Sequence, residues 1–171
     1  MATNNPAETI LWEEVDSPLG VFLVAGDGRR VVATALPGRW SKEEVPEAWS
    51  YAPGAMATVA DQLTEYFDGS RRRFDLELAP RGTAFQRAVW TALEAIPYGA
   101  TASYRDVATA VGNPRATRAV GLANNRNPIA LIVPCHRVIG ADGSLTGYGG
   151  GLEMKRWLLD HERSVLAGTP T

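Results

Sequence analysis

The spacing of apolar residues near the start of the chain predicts a small antiparallel sheet. Three short apolar segments, Thr9–Val15, Gly20–Ala25 and Val31–Leu36, are separated by residues that favour turns. Because the connections are only a few residues long, neighbouring segments are expected to pair as antiparallel strands. The next stretch, residues 37–53, is rich in proline, tryptophan and charge, shows no regular period, and is predicted to be a loop.

A helix and one further strand complete the first half of the predicted structure. Apolar residues within Ala55–Phe67 recur at the spacing of one helix face, whereas Phe74–Leu78 alternates apolar with acidic residues as a strand does. Residues 79–82, Ala-Pro-Arg-Gly, are predicted to be a linker. We therefore divide the chain into an N-terminal α/β domain, residues 1–80, and a second domain, residues 81–171.

The second half carries signals for helices rather than for strands. Thr83 is placed to cap one helix, and Ser103 with Asp106 forms a capping-box-like pattern at the start of another. Asn113 and Pro114 suit the cap and the first position of the next helix. The predicted fold is α/β (α+β), a short antiparallel sheet with a helix followed by a mostly helical domain. Its C-terminal helices are predicted at residues 84–96, 103–111, 114–125 and 152–162.

The helices at 103–111 and 114–125 are separated by a tight turn, as in a helix-turn-helix motif. An ordinary helical hairpin is the simpler interpretation of the spacing alone. The second helix, however, combines small residues with arginine, which suits close approach to a groove of DNA. The small residues are Ala116, Ala119, Gly121 and Ala123, and the arginines are Arg115, Arg118 and Arg126.

Composition narrows the class of protein. Hydrophobic residues make up 45% of the chain and charged residues 21%, which is the balance of a globular protein. No apolar run is long enough to span a bilayer, and residues 1–10 lack the basic start and apolar stretch of a signal peptide. These features argue against a membrane-spanning helix and predict a cytoplasmic location.

The net charge of −2 conceals an asymmetry between the two halves. Residues 1–80 hold 7 basic and 13 acidic side chains, whereas residues 81–171 hold 10 basic and 6 acidic ones. Nearly all the basic residues of the second half are arginines, whose planar guanidinium binds phosphate and stacks on bases. A polyanionic partner, if there is one, is expected to contact the second half.

Candidate chemistry centres on the single cysteine of the sequence, Cys135, which follows the apolar segment 130–133 and precedes His136. One cysteine and two histidines fall short of the usual four zinc ligands, so no metal site is predicted. A thiolate beside an imidazole is a nucleophile pattern, although a buried structural cysteine beside a solvated histidine is the ordinary alternative. Glu162, on the edge of the apolar face of the last helix, could orient His136, which favours the catalytic interpretation.

The motifs around this cysteine resemble the signature of the O6-alkylguanine-DNA alkyltransferases, also called methylated-DNA–protein-cysteine S-methyltransferases. The signature occupies Ile132–Val138, and the likeness covers about residues 80–163 in the family's order and spacing. The N-terminal half resembles the family only in its length and in its strand-then-helix order. The further matching motifs are Gly82–Gln86, Ile96–Gly99, Ser103-Tyr104, Arg118–Gly121, Asn127-Pro128 and Leu145–Tyr148.

The resemblance implies a DNA repair protein that transfers the alkyl group of O6-alkylguanine to its own cysteine and acts once. It also implies an RNase H-like N-terminal domain, a winged-helix-like C-terminal domain and no cofactor. Double-stranded DNA would be bound through its minor groove, with the damaged nucleotide flipped out. A monomer is expected. Repair of O4-alkylthymine, the range of alkyl groups accepted and cooperative assembly on DNA are left open.

The catalytic residues are implied position by position. Cys135 matches the nucleophile, His136 its water-linked base, and Glu162 the acid that orients that base. Asn127 matches a hinge residue between the recognition helix and the active site. Tyr104 matches a residue that helps rotate the phosphate and whose hydroxyl hydrogen-bonds guanine N3.

The resemblance also assigns residues to the DNA interface and to the alkylguanine pocket. Arg118 matches the finger that fills the space left by the flipped base. Some relatives carry serine where this chain has Gly149, so the shape of the pocket is open at that point. The other implied contacts are Ser103, Tyr104, Ala119, Ala123 and Asn124 for DNA, and Val138, Tyr148 and Gly149 for the pocket.

Three other functions compete with alkyl transfer. A non-catalytic protein that binds alkyl damage is disfavoured by the presence of Cys135, which such proteins lack. A cysteine hydrolase could use the same Cys-His-Glu set, but it leaves the small, arginine-bearing helix unexplained. A DNA-binding regulator with a bystander thiol is the third alternative.

Overall fold

Turns after each of the first apolar segments fold them into an antiparallel meander at the centre of a five-stranded sheet. The computed structural model describes residues 9–169, and its first strands are β1 Leu11–Ser17, β2 Gly20–Gly26, β3 Arg30–Ala35, β4 Ser50–Tyr51 and β5 Glu77–Leu78. Their order in the sheet is β4-β1-β2-β3-β5. The central pairs are antiparallel, whereas the short strands β4 and β5 lie parallel to β1 and β3.

Both faces of this sheet are covered. The helix α1, Ala57–Phe67, contributes Leu63 and Tyr66 to the buried cluster on one face. The loop after β3 covers the other face, where the ring of Trp40 lies 6.0 Å from that of Trp12. This loop was predicted to be irregular, yet it contains β4 and a short 3-10 helix at Lys42–Glu44, because its backbone continues the sheet beside β1.

The second half is mostly helical, as predicted, and the combination confirms the α/β class. A two-stranded parallel sheet, β6 with β7, brings the segment before α3 next to the segment after the cysteine. The elements are α2 Ala84–Glu94, β6 Ala102–Ser103, α3 Tyr104–Ala110, α4 Thr117–Asn125, a 3-10 helix Cys135–Arg137, β7 Val138–Ile139 and α5 Leu152–Leu166.

Side-chain caps explain where the first two α-helices of this half begin. Thr83 caps α2 and Ser103 caps α3, each within a capping box, as their sequence patterns predict. The predicted start of α4 at Pro114 is wrong, because the helix begins at Thr117. The amide of Asn113 bonds to the Ala108 carbonyl at 2.9 Å and closes the end of α3, and its carbonyl accepts from the Ala116 amide at 2.9 Å, so residues 113–116 form a separate turn before the helix.

A single buried cluster runs through both halves of the described chain. Phe22 and Val31 of the sheet belong to the same cluster as Trp90 of α2 and Leu158 of α5. Among residues 9–169, no helix is both long and apolar enough to cross a membrane. The first residues, in which no signal peptide is predicted, lie largely outside the described range. The helix α5 packs beneath the cysteine segment and places Glu162 there.

Candidate active site

A tight turn after α4 carries the cysteine into the interior. The side chain of Asn127 donates to the Val133 carbonyl at 2.8 Å and accepts from the Ile129 amide at 3.0 Å, which closes the turn from both ends. Within it, Leu131 has a φ of 72°, a left-handed conformation that costs a branched residue energy. The turn therefore holds Leu131 in a conformation that local sequence preferences alone would not select, and it fixes the path of the chain that leads to Cys135.

The N-terminal sheet also holds this turn. The Thr34 amide of β3 donates to the Pro128 carbonyl at 2.9 Å, and the Ala130 amide donates to the Thr34 carbonyl at 3.2 Å. The Thr34 hydroxyl adds a bond of 2.5 Å to the Ala130 carbonyl. Residues 128–130 thus lie beside β3 and pair with it in parallel orientation, so the position of Cys135 depends on the fold of the first half.

The thiol of Cys135 is almost fully enclosed, at 5% exposure. Burial raises its pKa, while a hydrogen bond from the Asn127 side chain and the positive charge of Lys155 act in the opposite direction. The net effect is a pKa above the usual value for a thiol. At neutral pH the group therefore needs a base close by to become a thiolate nucleophile.

His136 is fully buried, and its ring is oriented by a carboxylate. Nε2 lies 2.7 Å from Oε1 of Glu162, and this oxygen accepts a hydrogen bond from the Nε2–H group of the ring. Burial lowers the pKa of His136 despite this partner, so the neutral ring is the resting form. With the proton on Nε2, Nδ1 is an acceptor, and it has no hydrogen-bond partner within the described residues. That nitrogen can receive a proton, which is the requirement for a general base.

Glu162 collects five donors from four residues. Besides His136, its oxygens accept from the Tyr66 hydroxyl at 2.8 Å, from the Gly99 amide at 2.8 Å, and from Nε and Nη2 of Arg137 at 3.0 Å. Burial opposes ionisation, but the bonds to His136 and Arg137 outweigh it and lower the pKa of Glu162 to about 2. The carboxylate is therefore charged at any physiological pH and can stabilise a protonated His136.

A cavity of about 190 Å³ opens onto Cys135. Its wall includes Tyr148 and Gly149, two residues implied for the alkylguanine pocket, and also Arg39 from the loop after β3. A methyl-sized group added at Gly149 would meet only Nε of Arg39, at 3.7 Å, so glycine widens the mouth without being required by packing. A larger cavity of about 850 Å³, lined in part by Tyr98 and Arg137, does not include the cysteine.

Tyr104, which the resemblance implies, and Lys155 connect the elements around this pocket. The Tyr104 hydroxyl donates to the Thr146 carbonyl at 3.1 Å, which ties the first turn of α3 to the loop before Tyr148. Lys155 donates to that same carbonyl at 2.9 Å and to the Val138 carbonyl. Burial lowers the pKa of Lys155 to about 8, so the ammonium is still mostly charged at neutral pH. The carbonyl of Val138, a residue implied for the alkylguanine pocket, accepts a hydrogen bond from this ammonium.

The residues implied for DNA contact divide between the surface and the interior. Arg118 and Ala119 are exposed on α4, and Ser103 is partly exposed, with its hydroxyl engaged in the cap of α3. Ala123 and Asn124, in contrast, are buried. The backbone carbonyl of Ala123 accepts from the indole N–H of Trp90, and the side-chain amide of Asn124 donates to the Cys135 carbonyl. Their placement gives no support to a direct contact with DNA.

Sequence reasoning missed several residues of this site, and one signal could have found Lys155. The sequence predicts Met154, Trp157, Leu158 and His161 on the inward face of the last helix with Glu162 at its edge, and the buried residues of α5 are Lys155, Leu158, Leu159, His161, Glu162 and Val165. These positions also follow helical spacing, so two charged residues on one apolar face were available as evidence. Tyr66, Arg39 and the role of Arg137 have no comparable local signal.

Comparisons with known proteins identify the family of this chain. The family model described as "6-O-methylguanine DNA methyltransferase, ribonuclease-like domain" matches residues 10–80, and the model of the corresponding "DNA binding domain" matches residues 84–164. The methylated-DNA–protein-cysteine methyltransferase of Methanosarcina acetivorans is 51% identical over 149 residues, which cover 87% of this chain and 96% of that protein. The chain belongs to the 6-O-methylguanine DNA methyltransferase family.

Solved structures of the family have the same fold. The OGT of Mycobacterium tuberculosis in complex with DNA is 48% identical, with a TM-score of 0.86 over 94% of this chain and 96% of that one. The O6-methylguanine-DNA methyltransferase of Pyrococcus kodakaraensis is 27% identical, with a TM-score of 0.67 over 90% of this chain and 99% of that one. Across residues 9–169, no group of three or more His, Cys, Asp or Glu side chains is placed to hold a metal.

Proposed function

We propose that this protein repairs O6-alkylguanine in double-stranded DNA by transferring the alkyl group to Sγ of Cys135, once per molecule. The family relationship supports the reaction class. The observation that carries the proposal is the paired geometry beside the thiol. His136 is held by Glu162 at 2.7 Å with its other nitrogen unpaired within the described residues, and the adjacent Cys135 lines a cavity of about 190 Å³ that is open to the surface.

The chemistry follows from these groups. The thiol proton of Cys135 passes to Nδ1 of His136 through a water molecule, and Glu162 stabilises the imidazolium that results. The thiolate attacks the alkyl carbon, the S–C bond forms, and the C–O6 bond breaks with its electron pair moving into the guanine. A hydrogen bond from the Tyr104 hydroxyl to N3 relieves the charge that builds on the guanine, and the proton taken from the thiol passes from His136 through solvent to the released base, which leaves both side chains in their starting forms. The thioether has no hydrolysable bond, so the protein is consumed.

A flipped nucleotide is required because the thiol cannot reach a stacked base. Cys135 is 5% exposed, and the alkylated oxygen of a stacked guanine faces the major groove, on the side opposite to a protein in the minor groove. We propose that α4 enters the minor groove, that exposed Arg118 occupies the vacated stack, and that Asn127 relays the position of α4 to Cys135. No cofactor is needed, a monomer suffices, and we place the reaction in the cytoplasm.

The test uses a duplex with one O6-methylguanine and a matched duplex with guanine. After incubation, intact and peptide masses are compared for the wild type and for Cys135→Ser. One methyl group on the peptide containing Cys135, with at most one per molecule and none on the serine variant, supports the proposal. Bound but unmodified wild type points to a damage-binding protein, and repeated turnover points to a hydrolase. Either of these results overturns alkyl transfer.

A further inference from the structure

The first half of the chain contributes a polar contact to the centre of the site. Tyr66, near the end of α1, donates its hydroxyl to Oε1 of Glu162 at 2.8 Å, and both side chains are fully buried. Tyr66 is fixed from several sides, since its ring stacks on Phe74 at 5.6 Å and packs edge-on against Tyr98 at 5.9 Å. The hydroxyl therefore has a defined position and no access to solvent.

This contact falls on the oxygen that orients the base. Oε1 of Glu162 accepts from Tyr66 at 2.8 Å and pairs with Nε2 of His136 at 2.7 Å, whereas Oε2 is used by the Gly99 amide and by Nε of Arg137. Arg137 also reaches Oε1 through Nη2 at 3.0 Å. Charge-assisted bonds to guanidinium are stronger than those to a neutral ring, so Arg137 competes with His136 for this oxygen.

We propose that Tyr66 is a positioning residue for alkyl transfer, which holds Oε1 of Glu162 against His136 in opposition to the pull of Arg137. Without the hydroxyl, the carboxylate relaxes toward the guanidinium and its bond to His136 weakens. The imidazolium formed when His136 takes the thiol proton is then less stabilised, so the thiolate of Cys135 forms at higher pH. The N-terminal half thereby sets the reactivity of a cysteine in the other half. The inference rests on the proposed function.

The experiment compares Tyr66→Phe with Tyr98→Phe. Both changes remove one buried hydroxyl and keep the ring, but the Tyr98 hydroxyl has no hydrogen-bond partner within residues 9–169. Single-turnover rates with a free O6-alkylguanine base are measured across pH, so that DNA binding does not enter. In Tyr66→Phe the midpoint of the pH profile is expected to rise by about half to one unit, which slows transfer about three- to tenfold below the midpoint. Tyr98→Phe keeps the wild-type midpoint.

A second variant guards against loss of folding. A fluorotyrosine at position 66 keeps the hydroxyl and makes it a stronger donor, so the midpoint is expected to move to lower pH. A midpoint for Tyr66→Phe that equals that of Tyr98→Phe, or that lies below the wild type, overturns the inference. If Tyr66→Phe does not fold, an unchanged midpoint for the fluorotyrosine protein overturns it. Failure of wild-type Cys135 to take up the alkyl group would instead reject the proposed function.

Discussion

Replacing Glu162 by glutamine keeps the shape of the side chain and removes the charge that faces Arg137. The pKa of Glu162 is lowered from 4.5 to about 2, because the bonds to His136 and Arg137 outweigh the cost of burial. One pKa unit corresponds to about 1.4 kcal/mol, so the ionised form contributes about 3 kcal/mol to folding at neutral pH. Breaking a buried ion pair by removing one partner costs a similar amount, about 3–5 kcal/mol. Glu162→Gln is therefore expected to destabilise the protein by about 3 kcal/mol.

The assay is urea unfolding followed by tryptophan fluorescence. With a slope of about 2 kcal/mol per molar urea, the midpoint of Glu162→Gln should fall by about 1.5 M at neutral pH. Glu153→Gln is the matched control, because Glu153 is exposed in the first turn of the same helix and its loss should cost less than about 1 kcal/mol.

The pH dependence gives a second check on the same reasoning. A carboxyl whose folded pKa is lowered stabilises the protein fully above its unfolded pKa, near 4.5, and loses that effect as pH falls toward about 2. The difference between wild type and Glu162→Gln should therefore shrink by about half near pH 3. A difference below about 1 kcal/mol at neutral pH, or one that does not shrink in acid, would refute the idea that this carboxylate is ionised and paired with Arg137.

Three further changes test other parts of the site. Arg118→Ala should slow repair of duplex DNA by about tenfold or more while leaving reaction with a free alkylguanine base unchanged; equal losses on both substrates would reject its role at the stack. Lys155→Met removes a positive charge near the thiol, so the pKa of Cys135, measured by the ultraviolet absorbance of its thiolate, should rise; an unchanged pKa would contradict this. Gly149→Ser should fold normally, since its Cβ would meet only Arg39 at 3.7 Å. It should reduce the rate of benzyl transfer by a larger factor than the rate of methyl transfer. The same factor for both groups would show that residue 149 does not narrow the pocket.

Features that depend on neighbouring residues were predictable from the sequence. The capping boxes at Thr83 and Ser103 each involve residues three positions apart, so the starts of α2 and α3 could be located. The start of α4 could not, although Asn113 and Pro114 are good signals in isolation. Residues 113–116 form a turn closed by the bond from the Ala116 amide to the Asn113 carbonyl, and the local pattern does not distinguish this turn from the first turn of a helix.

Long-range contacts account for the rest. The strand predicted at Phe74–Leu78 is reduced to Glu77–Leu78, because within that segment these are the residues that pair with β3. The periodicity of α1 indicates that Tyr66 faces inward, yet its bond to Glu162 joins residues far apart in the chain. The pattern of apolar residues indicates that this tyrosine is buried, but it does not indicate which side chain its hydroxyl contacts. The role of Arg137 is equally hidden, since a residue beside a nucleophile is compatible with many contacts.

The pairing of Thr34 with residues 128–130 has a consequence for the order in which the protein is made. During synthesis, β3 emerges well before the turn that pairs with it, and the segment carrying Lys155 and Glu162 emerges later still. Until α5 has been added, His136 lacks the carboxylate that orients it, and Cys135 lacks a completed general base. The arrangement that activates Cys135 is therefore completed last, after the strand and the turn that hold the cysteine have been translated.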